Sequence, residues 1–503
     1  PKEVFVIFSK AHRVEKKTGI SLILCFLLLL LPGCTSKKDE YRNGRLVIIY
    51  WEKWTSFEGE AMQEVVDAFN ASQDRIWVDK ITTSRLDRKL LASIAGGIPP
   101  DVAGLWSYHT AVYASKKAIL PLSDRMQEAG LTKGYYKPIY WDLCHWQGVH
   151  YALPTTPATN ALFWNKRLFR EAGLDPDRPP KTIAELDEFA ERLTKYDDRG
   201  NLIQVGFLPG IPGSWMWGWA YWFGGKLMSD PETIAIDSPE NIRAAEWVAS
   251  FSKKYGVDAI ERFRTSLYQG AERVFSSPQD PFLAGKVAMQ VQGVWGYNFI
   301  EKFAPGMEWG AAPFPSADPE LQNVAMAECD ILVLPRGSPH PDEAWEFMKF
   351  ANSQEAMEIL CLGHRKFSSL AKTSDEFWEK NPNPYIKVFS DLAESPNVFA
   401  FPKTPIRTEF YREIDAAMDT IMNLSKTPAE ALRGVKLRMQ KRLDYEVGRL
   451  KKRGAWHPWG SGMTSALNPI QKPACDMESS LRMESRGTYL VNPRSEYENL
   501  SNG

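Results

Sequence analysis

Tryptophan carries the chemistry most worth following in this chain of 503 residues, which holds 18 of them. An indole offers a broad apolar face and a single N–H donor. Such faces stack on the C–H face of a ring-shaped solute, and a few polar groups nearby then meet its hydroxyls. That is the chemistry of holding a molecule rather than of breaking it. Trp51, Trp54 and Trp106 occupy or follow the ends of expected strands. Trp215, Trp217, Trp219 and Trp222 crowd one short stretch; 215, 217 and 219 alternate as on a strand, while 215, 219 and 222 share a helix face. Trp295 lies between Gly293 and Gly296, and glycine lets a backbone approach a cleft closely. Every tryptophan also has a packing role open to it. Trp247, Trp345 and Trp378 fall in helical patterns and are read as core.

Bond-breaking chemistry has thinner support. Glu52, Glu58, Glu328 and Asp330 are acidic and near expected strand ends. A glycosidase needs two carboxylates roughly 5–10 Å apart across a cleft, so an exported carbohydrate-active hydrolase is the competing reading. The chain contains no GxxxxGK[ST], no GxSxG and no HExxH. His145 and His150 share no helix face, so no metal is expected there, and nothing implies a cofactor. Cys144, Cys329, Cys361 and Cys475 are widely spaced without a CxxC and read as buried free thiols. The net charge is −1 with both signs interspersed, which leaves no basic face for nucleic acid.

The elements that must position these residues follow from periodicity. Strands are expected at Arg45–Trp51, Ile76–Thr82, Val102–Trp106, Ile203–Phe207 and Ile331–Pro335. Helical spacing of Ala61, Val65, Val66 and Phe69, and again of Leu86 to Ile94, places helices between the first three strands. This alternation predicts an α/β fold with a mainly parallel sheet and ligands at the carboxyl ends of its strands. Thr182 with Glu185, and Thr427 with Glu430, read as capping boxes, and Ser238-Pro239-Glu240 as a helix start. The length exceeds what one core sustains and suits two lobes.

The two ends read differently. Lys16 and Lys17 precede the apolar run Ile20 to Leu31, which is short of the roughly 18–20 residues a spanning helix needs. Residues 1–33 are therefore read as a signal region, those before about 14 as an upstream extension. Leu31-Pro32-Gly33-Cys34 resembles the lipobox of bacterial lipoproteins. The resemblance implies cleavage before Cys34, diacylation of its sulfur and a lipid anchor in the membrane. Residues 455–503 lack hydrophobic periodicity and read as a disordered tail.

Five stretches, in order, carry a family resemblance: 90–124 (LLASIAGGIPPDVAGLWSYHTAVYASKKAILPLSD), 151–174 (YALPTTPATNALFWNKRLFREAGL), 180–195, 282–295 (FLAGKVAMQVQGVW) and 330–359. Together the chain resembles the family 1 extracellular solute-binding proteins of ABC importers, the maltose-type receptors. The resemblance implies the type II periplasmic binding protein fold, with discontinuous lobes joined by hinge strands. Lobe one would be 43–155 plus 329–367, and lobe two 156–328 plus 368–454. Hinges are expected near Pro154–Pro157, Ala325–Cys329 and Gly363–Phe367. It further implies a carbohydrate ligand in the interlobe cleft, a membrane permease as partner, and a monomer. Thr155, Thr156 and Asn160 would lie where the lobes converge, Glu328 at the second crossing and Arg365 near the third. With the aromatic set Trp51, Trp54, Trp106, Trp215, Trp217, Trp219 and Trp295 they form the candidate binding residues. A receptor for a non-sugar solute is the remaining alternative.

Overall fold

The structure, a computed structural model, describes residues 40–211, 215–268 and 278–457. The signal region, Cys34, Cys475 and the expected disordered tail from 458 onward lie outside the described residues; the first residues expected in that tail are ordered instead, because Trp456 is buried in a core and its Nε1 donates to Glu232 at 2.7 Å.

Nine strands join in one sheet among the described residues. They are β1 (Tyr41–Arg42), β2 (Arg45–Glu52), β3 (Ile76–Thr82), β4 (Val102–Trp106), β5 (Leu153–Asn165), β6 (Met289–Gly293), β7 (Trp309–Ala312), β8 (Ala325–Val333) and β9 (Val398–Phe399). Their order is β1-β2-β4-β8-β5-β6, with β3 on β2, β7 on β5 and β9 on β8. β2 pairs in parallel with β3 and β4, as expected of βα units. The middle of the sheet departs from the mainly parallel expectation. β8 runs antiparallel to both β4 and β5, and β5 antiparallel to β6 and β7. The reason is that β5 and β8 are long strands running in opposite directions between the two halves of the molecule. In the sheet, Pro157–Thr159 and Ala327–Cys329 form a two-stranded neck between the stretch of β8 covered by β4 and the stretch of β5 covered by β6.

Helices cover both halves. On one side, α1 (Ser56–Ser72) buries Ala61, Met62, Val65, Val66 and Phe69, a stripe at helical spacing. It packs with Tyr50, Phe347 and Leu360 in one core. On the other side, α2 (Ile183–Leu193) and α3 (Pro239–Tyr255) enclose an aromatic core of Phe207, Trp219, Trp222 and Trp247. Thr182 caps α2 as expected, but the Glu185 carboxylate reaches the N–H of Lys181, one residue earlier than a capping box requires. The Thr427–Glu430 box is complete and starts the last helix, α9 (Pro428–Lys452). No helix among the described residues is long and apolar enough to cross a membrane. The fold is a two-lobed α/β architecture.

One buried ion cluster fixes the junction. The β5–β8 register shifts at Asp330. Its carboxylate meets Lys53 Nζ at 3.0 Å and Lys366 Nζ at 3.9 Å and accepts from the Thr156 hydroxyl. Lys366 also reaches Glu58 at 3.4 Å, and Glu52 accepts the backbone N–H groups of Lys53 and Trp54. Burial by itself would raise the Asp330 carboxyl; Lys53 and Lys366 outweigh it and hold the group below its ordinary value. Gly104 is required beneath Glu52, because a Cβ there would stand 2.6 Å from the carboxylate. His364 donates from Nε2 to the Glu58 carbonyl at 3.0 Å. Burial, then the Lys366 charge, pushes its imidazole down to about 3.

Replacing Asp330 with Asn leaves two buried ammonium groups under-compensated and should cost about 3–5 kcal/mol in urea unfolding; a loss below about 1 kcal/mol would contradict the cluster. His364 takes up a proton only on unfolding, so its contribution is full above roughly pH 6.5 and declines as pH falls below that value. Unfolding midpoints should therefore fall from pH 7 to pH 5, and His364→Gln should flatten that slope. An unchanged slope would assign the acid sensitivity elsewhere.

Candidate functional site

The register of β5 against β8 determines which side chains share the floor between the halves. Ala158 faces Glu328 and Ala327 faces Thr159, so alternation puts Thr156, Ala158, Asn160 and Glu328 on one face. Asp330 pairs across to Trp106 on β4. Asn160 uses its side-chain oxygen to accept the Met326 N–H at 2.9 Å, which leaves its buried Nδ2 without a protein partner. Burial pushes the Glu328 carboxyl up to about 7, with the Arg407 charge opposing and Asp330 assisting.

An aromatic wall rises from the first half. The Trp54 and Trp106 rings meet edge to face at 6.0 Å, and Trp106 stacks with Tyr108 at 5.8 Å with planes 7° apart. Lys53 supports this wall from behind, its ammonium 4.9 Å from the Trp54 ring centre and 5.1 Å from that of Trp106. Trp54 Nε1 is buried without a partner. His109 packs against Tyr108, and burial followed by the Arg407 charge keeps it neutral.

A second aromatic group comes from the other half. Trp215 and Trp295 meet at 5.6 Å, and Trp215 Nε1 is also buried and unpaired. Trp215 holds a left-handed backbone, φ 57°, a strained conformation for a bulky residue. Trp295 folds back over Gly293: a Cβ there would fall 2.3 Å from the indole. Trp295 leads into α4 (Gly296–Phe303), and Asn298 on that helix ties it to the turn at His364 and Arg365. Asn298 Nδ2 donates to the His364 carbonyl at 3.1 Å, and Arg365 Nη1 donates to Asn298 Oδ1 at 3.4 Å.

The candidates from the sequence therefore divide. Trp54, Trp106, Asn160, Glu328, Trp215 and Trp295 stand around the junction of the halves. Thr155 is buried in β5, beside Thr156, whose hydroxyl serves Asp330. Arg365 sits in a turn with φ 53°, not in a crossing strand, and binds Asn298. Three tryptophans depart from expectation. Trp51 packs, half-buried, against the central core. The stretch Met216–Phe223 is a 3-10 helix rather than a strand or an α-helix. Its tighter turn directs Trp217 onto Phe399 and Phe401, and Trp219 onto Phe207, Trp247 and Phe314, inside the aromatic core. His145 and His150 do share a face, as a cross-strand pair 5.2 Å apart in a hairpin, yet no cluster of three metal-ligating side chains exists among the described residues. Cys144, Cys329 and Cys361 are free and buried.

Sequence reasoning passed over Tyr108 and Arg407. Arg407 opens the helix α7 (Arg407–Met422) and lays its guanidinium on the Tyr108 ring at 3.9 Å. Tyr108 lies two residues past Trp106, in the 3-10 turn Ser107–His109 that ends the strand. No local pattern connects Arg407 with residues some three hundred positions earlier.

A family model described as bacterial extracellular solute-binding protein matches residues 55–358. The chain is 23% identical over 393 residues to the maltotriose-binding protein of Pyrococcus abyssi, covering 77% of this chain and 79% of that one. It is 24% identical over 419 residues to the sn-glycerol-3-phosphate-binding periplasmic protein UgpB of Pectobacterium atrosepticum, covering 75% and 88%. The solved structure of CpMnBP1 with mannobiose bound superposes with a TM-score of 0.69 at 27% identity, over 78% of this chain and 98% of that one. With more than half its length matched and its two-lobed fold shared, the chain belongs to the bacterial extracellular solute-binding protein family.

Proposed function

We propose that this chain is the carbohydrate-binding lipoprotein of an ABC importer: it holds a mono- or oligosaccharide between its lobes and delivers it, as a monomer, to a membrane permease. Lobe one is 43–155 plus 329–367 and lobe two 156–328 plus 368–454, and Cys34 carries the lipid. One observation carries the ligand class. Trp54 Nε1, Asn160 Nδ2 and Trp215 Nε1 are three buried donors without protein partners, set among aromatic faces. A buried unpaired donor costs about 1–3 kcal/mol, and a hydroxylated ring supplies both acceptors and apolar faces. The names of the relatives, binders of maltotriose, mannobiose and sn-glycerol-3-phosphate, support a polyhydroxylated solute.

A hydrolase is less well supported. Asp330 and Glu58 are tied to lysines, and Glu52 to Lys53 and backbone N–H groups. That leaves Glu328 without the second, unengaged carboxylate a glycosidase uses.

Thermal denaturation of the full chain against a saccharide panel should show stabilisation by an intact sugar, since a ligand bound only by the folded state adds RT ln(1 + [L]/Kd); cleavage products would support the hydrolase instead. Trp295→Ala should weaken binding about ten-fold or more in calorimetry, which is about 1.4 kcal/mol, whereas unchanged affinity would remove Trp295 from the site. Cys34→Ala should move the protein from the membrane to the soluble fraction of expressing cells. Continued membrane association would refute the lipid anchor.

A further inference from the structure

Arg407 is an anomaly that a neutral ligand leaves unexplained. Its Nε and Nη2 atoms are shut off from solvent and have no hydrogen-bond partner. Those two N–H groups form one edge of the guanidinium, the parallel fork that matches two oxygens of a carboxylate or phosphate. The ring of Tyr108 takes the guanidinium face at 3.9 Å, with Phe401 and Tyr411 also around it at 5.2 and 5.3 Å. Three aromatic rings thus orient the cation while its donor edge, closed to solvent, has no partner.

The position makes the anomaly sharper. Arg407 is the first residue of α7, a helix of 16 residues. The N-terminus of a helix carries partial positive charge, so a cation is disfavoured there and an anion favoured. Its N-cap is Ile406, which makes no side-chain cap bond. The same narrow cleft is lined by Lys403, Thr404, Tyr108 and Glu328. Two acidic groups stand close to the helix start. Glu409, in its first turn, is engaged by Arg442 at 3.3 Å. Glu328 is the other; burial pushes it up to about 7, and it makes no ion pair with Arg407 within 4.0 Å.

We infer that the ligand carries an anionic substituent, a carboxylate or a phosphate ester, seated on the Arg407 fork at the start of α7 with its sugar ring toward Tyr108 and Trp106. This rests on the sugar-receptor reading above and narrows it to acidic saccharides.

The test is calorimetry of the full chain with matched sets: neutral disaccharides, the corresponding disaccharides ending in a uronic acid, and the corresponding disaccharide phosphates. An acidic member should bind at least ten-fold more tightly than its neutral partner, and whichever acid gains identifies carboxylate or phosphate as the recognised group. Arg407→Gln should erase that preference, so that each acid and its neutral partner bind the variant within about three-fold of one another. Arg407→Lys, which keeps the charge and loses the fork, should retain only part of it. Neutral sugars binding as tightly as their acids to the unaltered chain would overturn the inference and leave the receptor reading standing. Binding of no saccharide of any kind would bring both down.

Discussion

Asp330 is the charge on which the junction of this molecule depends. It sits where the β5–β8 register slips, and two lysines from separate segments converge on it. Lys53 follows β2 and Lys366 follows the helix Gln354–Gly363. A buried carboxylate alone would be expensive to ionise. The same carboxylate between two ammonium groups stays charged and ties three parts of the chain to one point. The aromatic wall is built on that point, because Lys53 lies under both Trp54 and Trp106. A core of aliphatic residues would supply stability there, but not a cation behind the rings.

The rest of the site follows from strand geometry. Alternation along β5 and β8 brings Asn160, small Ala158 and Glu328 to a single floor, and the tryptophan groups flank it from separate halves. In the proposed site no single half holds the full set of donors and faces, so recognition there would depend on the relative placement of the halves. Binding energy spent on joining the walls is energy available for closure.

Local chemistry explains what the sequence revealed. The βα units, the caps at Thr182, Ser238 and Thr427, and the strand at Val102–Trp106 depend on neighbours within a few residues, and periodicity exposes them. Trp54, Trp106 and Trp295 were legible because strand ends and glycines flank them. What stayed hidden was set by long-range packing. Nothing near Trp215 announces a 3-10 helix, whose pitch decided which indoles entered the core. The antiparallel centre of the sheet depends on where β8 returns, far from β5 in sequence. Arg407 reaches Tyr108 across a separation of the same kind.

The neck at Pro157–Thr159 and Ala327–Cys329 has a mechanical meaning. A ribbon of two strands twists far more readily than a wide sheet, while its ladder of amide bonds resists stretching. A swing of one half against the other, as the proposed function requires, would twist this ribbon. Those six residues include Ala158 and Glu328, so the ribbon that would act as the torsion bar is also the floor of the proposed site.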